Sequence, residues 1–173
     1  MSSPLLVAFP ELEGPGPLRA QTPNPSIERT ATLAHGFEAM QVHGSCHCGA
    51  IEFEAKVDPG RVTICHCTDC QNLTGSAYRV TVAANTQDFR LLRGTPQVYF
   101  KYGDSGNKRA HSFCGTCGSH LYAHAAVDNP TSYGLRVGSL REREALVPHR
   151  RIWCRSALAW SQDLSGMAEL ERE

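Results

Sequence analysis

The sequence predicts an all-β fold made of short strands, and three observations support this prediction. Apolar and polar residues alternate over short stretches, as at residues 50–56, where Ile51, Phe53 and Ala55 fall on one side. Glycine, proline and asparagine turn signals separate these stretches at roughly regular intervals. No long stretch carries the apolar period of a helix. Short antiparallel strands joined by tight turns are therefore expected.

The predicted strands follow one another along most of the chain. They cover residues 50–56, 62–64, 78–82, 89–92, 98–102, 108–113, 121–123, 133–137 and 151–155. Turn signals at 58–60, 94–96 and 103–107 separate several of them. Helix is expected only in two short segments, at 141–145 and from residue 167 to the end. Residues 40–46 have the character of a domain start.

The length of 173 residues suits one domain with a core of its own. Six prolines and no apolar period precede residue 40, so residues 1–39 are predicted to be an extension without packed structure. The folded domain is expected to span residues 40–165. Residues 166–173 would form a C-terminal tail.

The charge balance narrows the range of partners. The chain has 17 Lys and Arg and 17 Asp and Glu, and its formal net charge is zero. No basic tract is present to hold a phosphate backbone, so nucleic acid is not expected as a partner. The apolar run at residues 5–9 fits neither a secretory signal nor a membrane span. We therefore expect a cytoplasmic protein without a membrane partner.

Seven of the eight cysteines fall in three clusters. The clusters are Cys46 with Cys48, then Cys65, Cys67 and Cys70, then Cys114 with Cys117. Thiols stay reduced in the cytoplasm, so cysteines at these spacings indicate zinc ligands rather than disulfides. Side chains at i and i+2 leave the same face of a strand, and a Cys-x-x-Cys turn lets backbone N–H groups point at its sulfurs.

Seven ligands divide into one complete set of four and one incomplete set of three. We assign the complete set, a closed structural zinc site, to Cys46, Cys48, Cys114 and Cys117. The incomplete set, Cys65, Cys67 and Cys70, would hold a second, catalytic zinc with one open coordination position. Spacing alone leaves a second grouping open, with Cys46, Cys48, Cys65 and Cys67 in one site and Cys70, Cys114 and Cys117 in the other.

A three-thiolate site favours thiol chemistry over hydrolysis. Zn²⁺ with three thiolates has a formal charge of −1, so it activates water less well than a site with neutral ligands does. A small thiol could instead take the open position, lose its proton and attack an aldehyde carbon. The hypothesis makes Cys65, Cys67 and Cys70 the catalytic metal ligands. A thiol redox protein is a further possibility, and it requires a functional disulfide.

Several residues near the clusters receive simpler interpretations. His47 and His66 lie between cysteine ligands and would leave the opposite strand face, so they are expected beside the metal rather than on it. His66 is the better of the two for handling protons. Asp69 is expected to form a turn. Cys154 is expected to be a small buried hydrophobic residue. The strand aromatics Phe53, Tyr78, Phe113, Tyr122 and Trp153 are expected to pack in the core or a cleft.

The cysteine clusters and their neighbours also carry a family resemblance. The segments are Gly-Ser-Cys-His-Cys-Gly-Ala-Ile at 44–51, Cys-His-Cys-Thr-Asp-Cys at 65–70, Phe-Cys-Gly-Thr-Cys-Gly-Ser at 113–119 and Arg-Val-Gly-Ser-Leu at 136–140. Together they resemble the glutathione-dependent formaldehyde-activating enzyme family, whose relatives include centromere protein V. The resemblance covers about residues 40–160. One departure is Gln71, where the family often has a basic residue.

The resemblance implies a β-tent fold with two zinc ions. A structural zinc would lie on Cys46, Cys48, Cys114 and Cys117, and a catalytic zinc on Cys65, Cys67 and Cys70. The implied reaction adds glutathione to formaldehyde to give S-hydroxymethylglutathione, formally a carbon–sulfur lyase running in reverse. The implied partners are glutathione and an aldehyde. A non-catalytic zinc module that binds another protein is the alternative.

Overall fold

The structure, a computed structural model, describes residues 38–103 and 106–172. The prediction for residues 1–37 lies outside these ranges. The ten strands are β1 Met40–Ser45, β2 Glu52–Val57, β3 Thr63–Cys65, β4 Arg79–Asn85, β5 Phe89–Arg93, β6 Gln97–Tyr102, β7 Lys108–Phe113, β8 His120–Ala125, β9 Ser132–Arg136 and β10 Arg150–Ile152. One α-helix, α1, spans Thr68–Thr74. The remaining helical turns are 3₁₀ turns of three or four residues.

The strands form two sheets. The smaller has the order β1-β2-β5, and the larger has the order β10-β3-β4-β9-β8-β7-β6. Every named strand pair is antiparallel except β10 with β3, which is parallel. The all-β prediction is therefore confirmed. The expected alternation in β2 is also observed, since Ile51, Phe53 and Ala55 are all buried.

The core lies between the two sheets. Phe53 of β2 contacts Phe89 of β5 and the ring of Tyr122 from β8, with centroids 5.5 and 5.7 Å apart. Buried aliphatic side chains complete this core from both sheets, among them Val42 of β1 and Val82 of β4. Aromatic pairs of this kind stabilise a core beyond their area alone. The two sheets are thus held face to face through apolar contacts.

A close approach between β1 and β2 explains the glycine before the first cysteine pair. Gly44 lies opposite Phe53 in the antiparallel register, and a Cβ built at Gly44 would lie 2.0 Å from the Phe53 ring. Phe53 is itself almost fully buried and cannot move outward. Only glycine leaves room for the ring at this position.

Four expectations were wrong in detail. Residues 68–74 form a helix where none was expected. The 151–155 strand ends at Ile152, because Trp153 adopts a left-handed backbone with φ of 59° and begins a 3₁₀ turn at Cys154–Ser156. The helix expected at 141–145 is a single 3₁₀ turn at Arg143–Ala145. The described part of the C-terminal segment, residues 167–172, contains no helix.

Candidate metal centres

Two cysteine clusters lie in the structure with metal-ligand spacing. The sulfurs of Cys46, Cys48, Cys114 and Cys117 are all within 4.8 Å of one another, and so are those of Cys65, Cys67 and Cys70. All seven cysteines are among the described residues, and they come together in the first of the two groupings considered above. The second grouping, which mixes the clusters, is not brought together. Their role as metal ligands stays a prediction.

The four-cysteine cluster joins the end of β1 to the turn after β7. Cys46 and Cys48 follow β1 directly, and Cys114 and Cys117 form the turn that leads toward β8. The backbone N–H of Ile51 donates to the Cys46 sulfur at 3.3 Å. The hydroxyl of Ser119 lies 3.3 Å from the Cys117 sulfur. These bonds orient the thiols toward a common centre.

The sulfur separations fit a tetrahedral zinc site. With a Zn–S bond of about 2.3 Å, neighbouring sulfurs of a regular tetrahedron lie about 3.8 Å apart. The sulfurs of Cys46 and Cys48 are 3.5 Å apart, and those of Cys48 and Cys114 are 3.7 Å apart. An all-sulfur donor set also suits zinc better than harder metals such as Mg²⁺ or Ca²⁺. The residues present therefore fit the expected ion.

The three-cysteine cluster lies where β3 passes into α1. Cys65 is the last residue of β3, Cys67 caps the N-terminus of α1, and Cys70 lies in the first turn of that helix. The backbone N–H of Cys70 donates to the Cys67 sulfur at 3.4 Å. A strand end followed at once by a helical turn thus brings three thiols together from six consecutive residues.

Within each cluster, hydrogen bonds from neighbouring groups shift the pKa values of individual thiols. The hydrogen bond with the Cys70 thiol, helped by Cys67 and by the positive charge of Arg79, lowers the pKa of Cys65 to about 5. The same bond with Cys65 raises the pKa of Cys70. In the other cluster, hydrogen bonds from the Ser119 side chain and backbone lower the pKa of Cys117 to about 5. Each cluster therefore already contains a thiolate near neutral pH, which is the form that binds a metal.

Two buried arginines lie beside the three-cysteine cluster, and sequence reasoning did not single them out. Arg79 is directly opposite Cys65 in the β3–β4 register, so the two side chains share one face of the sheet. Thr81 pairs with Arg136 of β9 in the same way, which places Arg136 on that face too. Arg79 is 4% exposed and Arg136 is 8% exposed. For Arg136 the available signal was its place at the start of the 136–140 segment that carries the family resemblance, whereas Arg79 gave none.

Both guanidinium groups have N–H donors without partners among the described residues. The unpaired buried atoms are Nε and Nη2 of Arg79 and Nε of Arg136. Arg136 donates from Nη2 to Nδ1 of His111 at 3.2 Å. Burial and the two arginines lower the pKa of His111 to about 3, so this imidazole is neutral and accepts the bond. Burial and the repulsion from Arg79 lower the pKa of Arg136 to about 9, which leaves it positively charged at neutral pH.

A cavity of about 570 Å³ opens onto this basic face. Arg79, Arg136, Tyr78 and His120 line it, together with Leu73 of α1 and Ser119 of the turn that carries Cys117. Leu73 follows Cys70 by three residues in the helix, so it lies on the same side of α1 as that thiol. The cavity therefore adjoins the three-cysteine cluster on one side and the four-cysteine turn on the other. A second cavity of about 610 Å³ beside Cys46 shares Ser119 and His120 with it.

Residues 152–156, at the end of β10 and just after it, close the other side of the three-cysteine cluster. The backbone N–H of His66 donates to the carbonyl of Ile152, continuing the parallel pairing of β10 with β3. Nε2 of Gln71 donates to the carbonyl oxygens of His66 and Ser156, both at 2.8 Å. A smaller cavity of about 300 Å³ remains here, lined by Cys67, Asp69, Lys101, Trp153, Arg155 and Ser156.

The other predicted neighbours have mixed outcomes. His47 is exposed, and its backbone N–H donates to the Ser119 hydroxyl. His66 is buried, packs edge-on against Tyr78 and has no hydrogen bond to either ring nitrogen within residues 38–103 and 106–172. That environment suits packing better than the expected proton transfer. Asp69 lies in the first turn of the helix α1 and forms an ion pair with Lys101 of β6. The expectation that Asp69 forms a chain turn was therefore wrong. Cys154 is exposed, which contradicts its expected burial.

The predicted aromatic packing is seen at only some of the five positions. Phe53 and Tyr122 are buried in the core, and Tyr78 and Phe113 are partly buried. Trp153 is 38% exposed and stacks with the guanidinium of Arg155, whose carbon lies 4.9 Å from the ring centroid. The left-handed backbone at Trp153 explains the difference, because it turns this residue away from the strand pattern.

The fold and the two sulfur clusters define an all-β protein with two cysteine sites of zinc-ligand geometry. Comparison with protein families makes this assignment specific: the chain belongs to the glutathione-dependent formaldehyde-activating enzyme family, whose model matches residues 41–156. The predicted family and the predicted all-β fold of short, largely antiparallel strands are both confirmed. No curated protein matches the chain significantly.

One solved structure similar to this chain is that of a Rhodobacter sphaeroides protein, a structural genomics target. The two sequences are 25% identical, and the alignment covers 63% of this chain and 98% of that one, with a TM-score of 0.49. Within residues 38–103 and 106–172, no helix has the length and apolar character needed to cross a membrane.

Proposed function

We propose that this protein is a zinc-dependent carbon–sulfur lyase-type enzyme that handles glutathione–aldehyde adducts. In the direction of adduct formation, the sulfur of glutathione forms a bond to the carbonyl carbon of an aldehyde such as formaldehyde. The thiol proton ends on the former carbonyl oxygen, so nothing is oxidised or reduced and no further reactant is needed. The product would be S-hydroxymethylglutathione.

The observation that carries this proposal is the convergence of Cys65, Cys67 and Cys70 beside a buried arginine. The three sulfurs lie within 4.8 Å of one another and supply three ligands, one fewer than a closed tetrahedral site needs. When bound, zinc would lower the pKa of an incoming thiol and hold it as a thiolate. The family match over residues 41–156 supports glutathione as that thiol and formaldehyde as the aldehyde.

The chain itself supplies the electrostatic setting for such a thiolate. Arg79 lies on the same sheet face as Cys65, and its positive charge already lowers the pKa of that thiol. An incoming sulfur anion would gain from the same charge, because Arg79 is buried and the three thiols are partly buried, which limits screening by water. The four-cysteine cluster would then be a structural zinc site that fixes the turn at Cys114 and Cys117.

The proposal can be tested by the rate of hydroxymethyl exchange between formaldehyde and S-hydroxymethylglutathione, followed by exchange NMR. The zinc-loaded protein should raise this rate above the spontaneous one. The Cys70→Ser variant should lose the acceleration while keeping the zinc of the four-cysteine site. A rate equal to the spontaneous one with both sites loaded would contradict the proposal.

A second candidate function is a non-catalytic zinc module that binds another protein. The observation that favours it is β6, an edge strand of the larger sheet, whose Val98, Tyr99, Phe100 and Tyr102 are all exposed. Apolar side chains on an open sheet edge are suited to pairing with another chain. This candidate requires that Cys70→Ser leave partner capture unchanged and that Tyr99→Lys abolish it.

A further inference from the structure

The cavity beside Arg136 contains more positive charge than the cysteine cluster can balance. Three thiolates with their divalent ion would carry a net charge of −1, which one of the two arginines offsets. Arg79 is the closer of the two to the cluster, since it lies opposite Cys65. No carboxylate within residues 38–103 and 106–172 forms an ion pair with either arginine. Arg136 is therefore left without a counter-charge.

An unpaired buried guanidinium is energetically unfavourable. Arg136 is 8% exposed, its Nε is buried with no hydrogen bond in the described chain, and its one side-chain partner is the neutral His111. A buried charge without an ionic partner destabilises the folded state unless another group satisfies it. Buried polar groups in native proteins nearly always have a hydrogen-bond partner, so this guanidinium calls for one. Arg136 is one of the residues that line the 570 Å³ cavity, which is where a partner can enter.

We propose that this cavity is a binding site for a carboxylate of the substrate thiol, with Arg136 as its main ligand. The inference rests on the proposed function, because it takes the substrate to be a thiol held at Cys65, Cys67 and Cys70. A guanidinium binds a carboxylate through two parallel N–H···O bonds, and its planar fork makes it more selective for this group than lysine. The substrate class is thus a thiol that also carries a carboxylate, rather than a neutral or cationic thiol.

The position of the cavity fits such a ligand. Leu73 and Thr74, which line it, follow Cys70 by three and four residues on α1, so the cavity lies next to the cluster without including its sulfurs. A carboxylate separated from the sulfur by several bonds would therefore reach Arg136 while the sulfur stays at the cysteines. Glutathione meets this requirement, because its terminal carboxylate belongs to the residue after the cysteine.

The test measures binding rather than turnover. S-methylglutathione has both carboxylates of glutathione but a blocked sulfur, and its diamide has nearly the same shape without the two carboxylate charges. With the zinc-loaded protein, calorimetry should show that the diamide binds about 10- to 100-fold more weakly, the range for losing charge-assisted hydrogen bonds. Equal affinities for the acid and the diamide, or no binding of the acid, would overturn the inference without any variant.

Variants then assign the effect to one residue. Arg136→Met should weaken the binding of S-methylglutathione by the same factor and leave the affinity for the diamide unchanged. Arg136→Lys should restore part of the lost affinity. The matched control is Arg90→Met, which removes a 72% exposed arginine side chain from β5 and should change neither affinity. Zinc content is measured in each variant. Loss of zinc from Arg136→Met with no effect on acid binding would show that Arg136 only balances the cysteine cluster.

The two proposals fail in different ways. If S-methylglutathione binds in an Arg136-dependent manner but hydroxymethyl exchange is not accelerated, the carboxylate site stands and the lyase proposal falls. If exchange is accelerated but the acid and the diamide bind alike, the lyase proposal stands and the carboxylate site falls.

Discussion

The side-chain amide of Gln71 donates a hydrogen bond of 2.8 Å to the carbonyl oxygen of Ser156, 85 residues further along the chain. Its second bond, to the carbonyl oxygen of His66, is also 2.8 Å long. Gln71 follows Cys70 directly in α1, so this amide connects the helix of the three-cysteine cluster to the residues that follow β10. The departure from the family pattern noted at this position therefore has a structural role in this chain.

Replacing Gln71 by alanine should loosen that connection. Two carbonyl oxygens lose their donor, and we expect the free energy of unfolding to fall by about 1–2 kcal/mol. Hydrogen exchange measured by mass spectrometry should become faster in peptides covering residues 152–158. Gln41→Ala, at an exposed position of β1, is the control. Unchanged exchange in these peptides would show that the segment is held by other contacts.

Replacing Gly44 by alanine should disturb the core. The new methyl group would meet the Phe53 ring at 2.0 Å, and overpacking of this kind destabilises a protein by about 1–3 kcal/mol. Urea denaturation followed by fluorescence measures the effect. Gly166→Ala, where a Cβ meets nothing within 4 Å, is the matched control and should be nearly neutral. Equal midpoints for both variants would contradict the close approach of Gly44 and Phe53.

Glu142 should contribute stability that depends on pH. Although partial burial opposes it, hydrogen bonds from the His43 ring and backbone, both 2.8 Å long, lower the pKa of this carboxyl group. A lowered pKa means that the contribution is complete above the ordinary carboxyl value and is lost as the pH falls through the folded value. Glu142→Gln should thus lower the free energy of unfolding by about 1 kcal/mol at pH 7.

The same variant should differ less from the wild type at low pH. Urea midpoints measured at pH 7, 5 and 3.5 should converge, because protonated Glu142 no longer accepts both bonds. Glu144→Gln, an exposed position two residues away, should show no such trend. A gap that stays constant down to pH 3.5 would exclude an ionic contribution from Glu142.

The cysteine partition predicts different losses from the two clusters. Cys114→Ser should lose the structural zinc, whose binding energy stabilises the folded state. We expect the Tm to fall by about 10 °C or more, since each 1 kcal/mol lost corresponds to about 2–4 °C in a domain of this size. Cys70→Ser should lose one zinc with little change in Tm. Metal analysis by mass spectrometry, with Cys154→Ser as the control, measures both. Loss of the tightly held zinc from Cys70→Ser would support the mixed grouping instead.

Much of the fold follows from local sequence patterns. Alternation placed β2, and the turn signals between apolar stretches located the strands from β4 to β9 to within a few residues. The helix α1 was missed because seven residues are too few to show a helical period and because its cysteines suggested a loop. The end of β10 was misplaced because nothing in the sequence marks Trp153 for a left-handed backbone.

The candidate site was predictable in its thiols but not in its charges. Cysteine spacing within a few residues is a local property, so the two cysteine pairs and the one triplet could be recognised directly. The proximity of Arg79 and Arg136 to the cluster depends on the pairing of β3 with β4 and of β4 with β9. Strand pairing is a long-range property, and an arginine in a strand pattern gives no sign of whether it faces solvent or a buried cavity.

The central claim, that a small thiol binds as a metal ligand at Cys65, Cys67 and Cys70, is tested most directly by cobalt substitution. Glutathione added to the protein with Co²⁺ in both sites should increase the sulfur-to-cobalt charge-transfer absorption, because a fourth sulfur joins the three-cysteine site. S-methylglutathione and the Cys70→Ser variant should give no increase. An unchanged spectrum of the fully loaded wild-type protein at saturating glutathione would contradict the account.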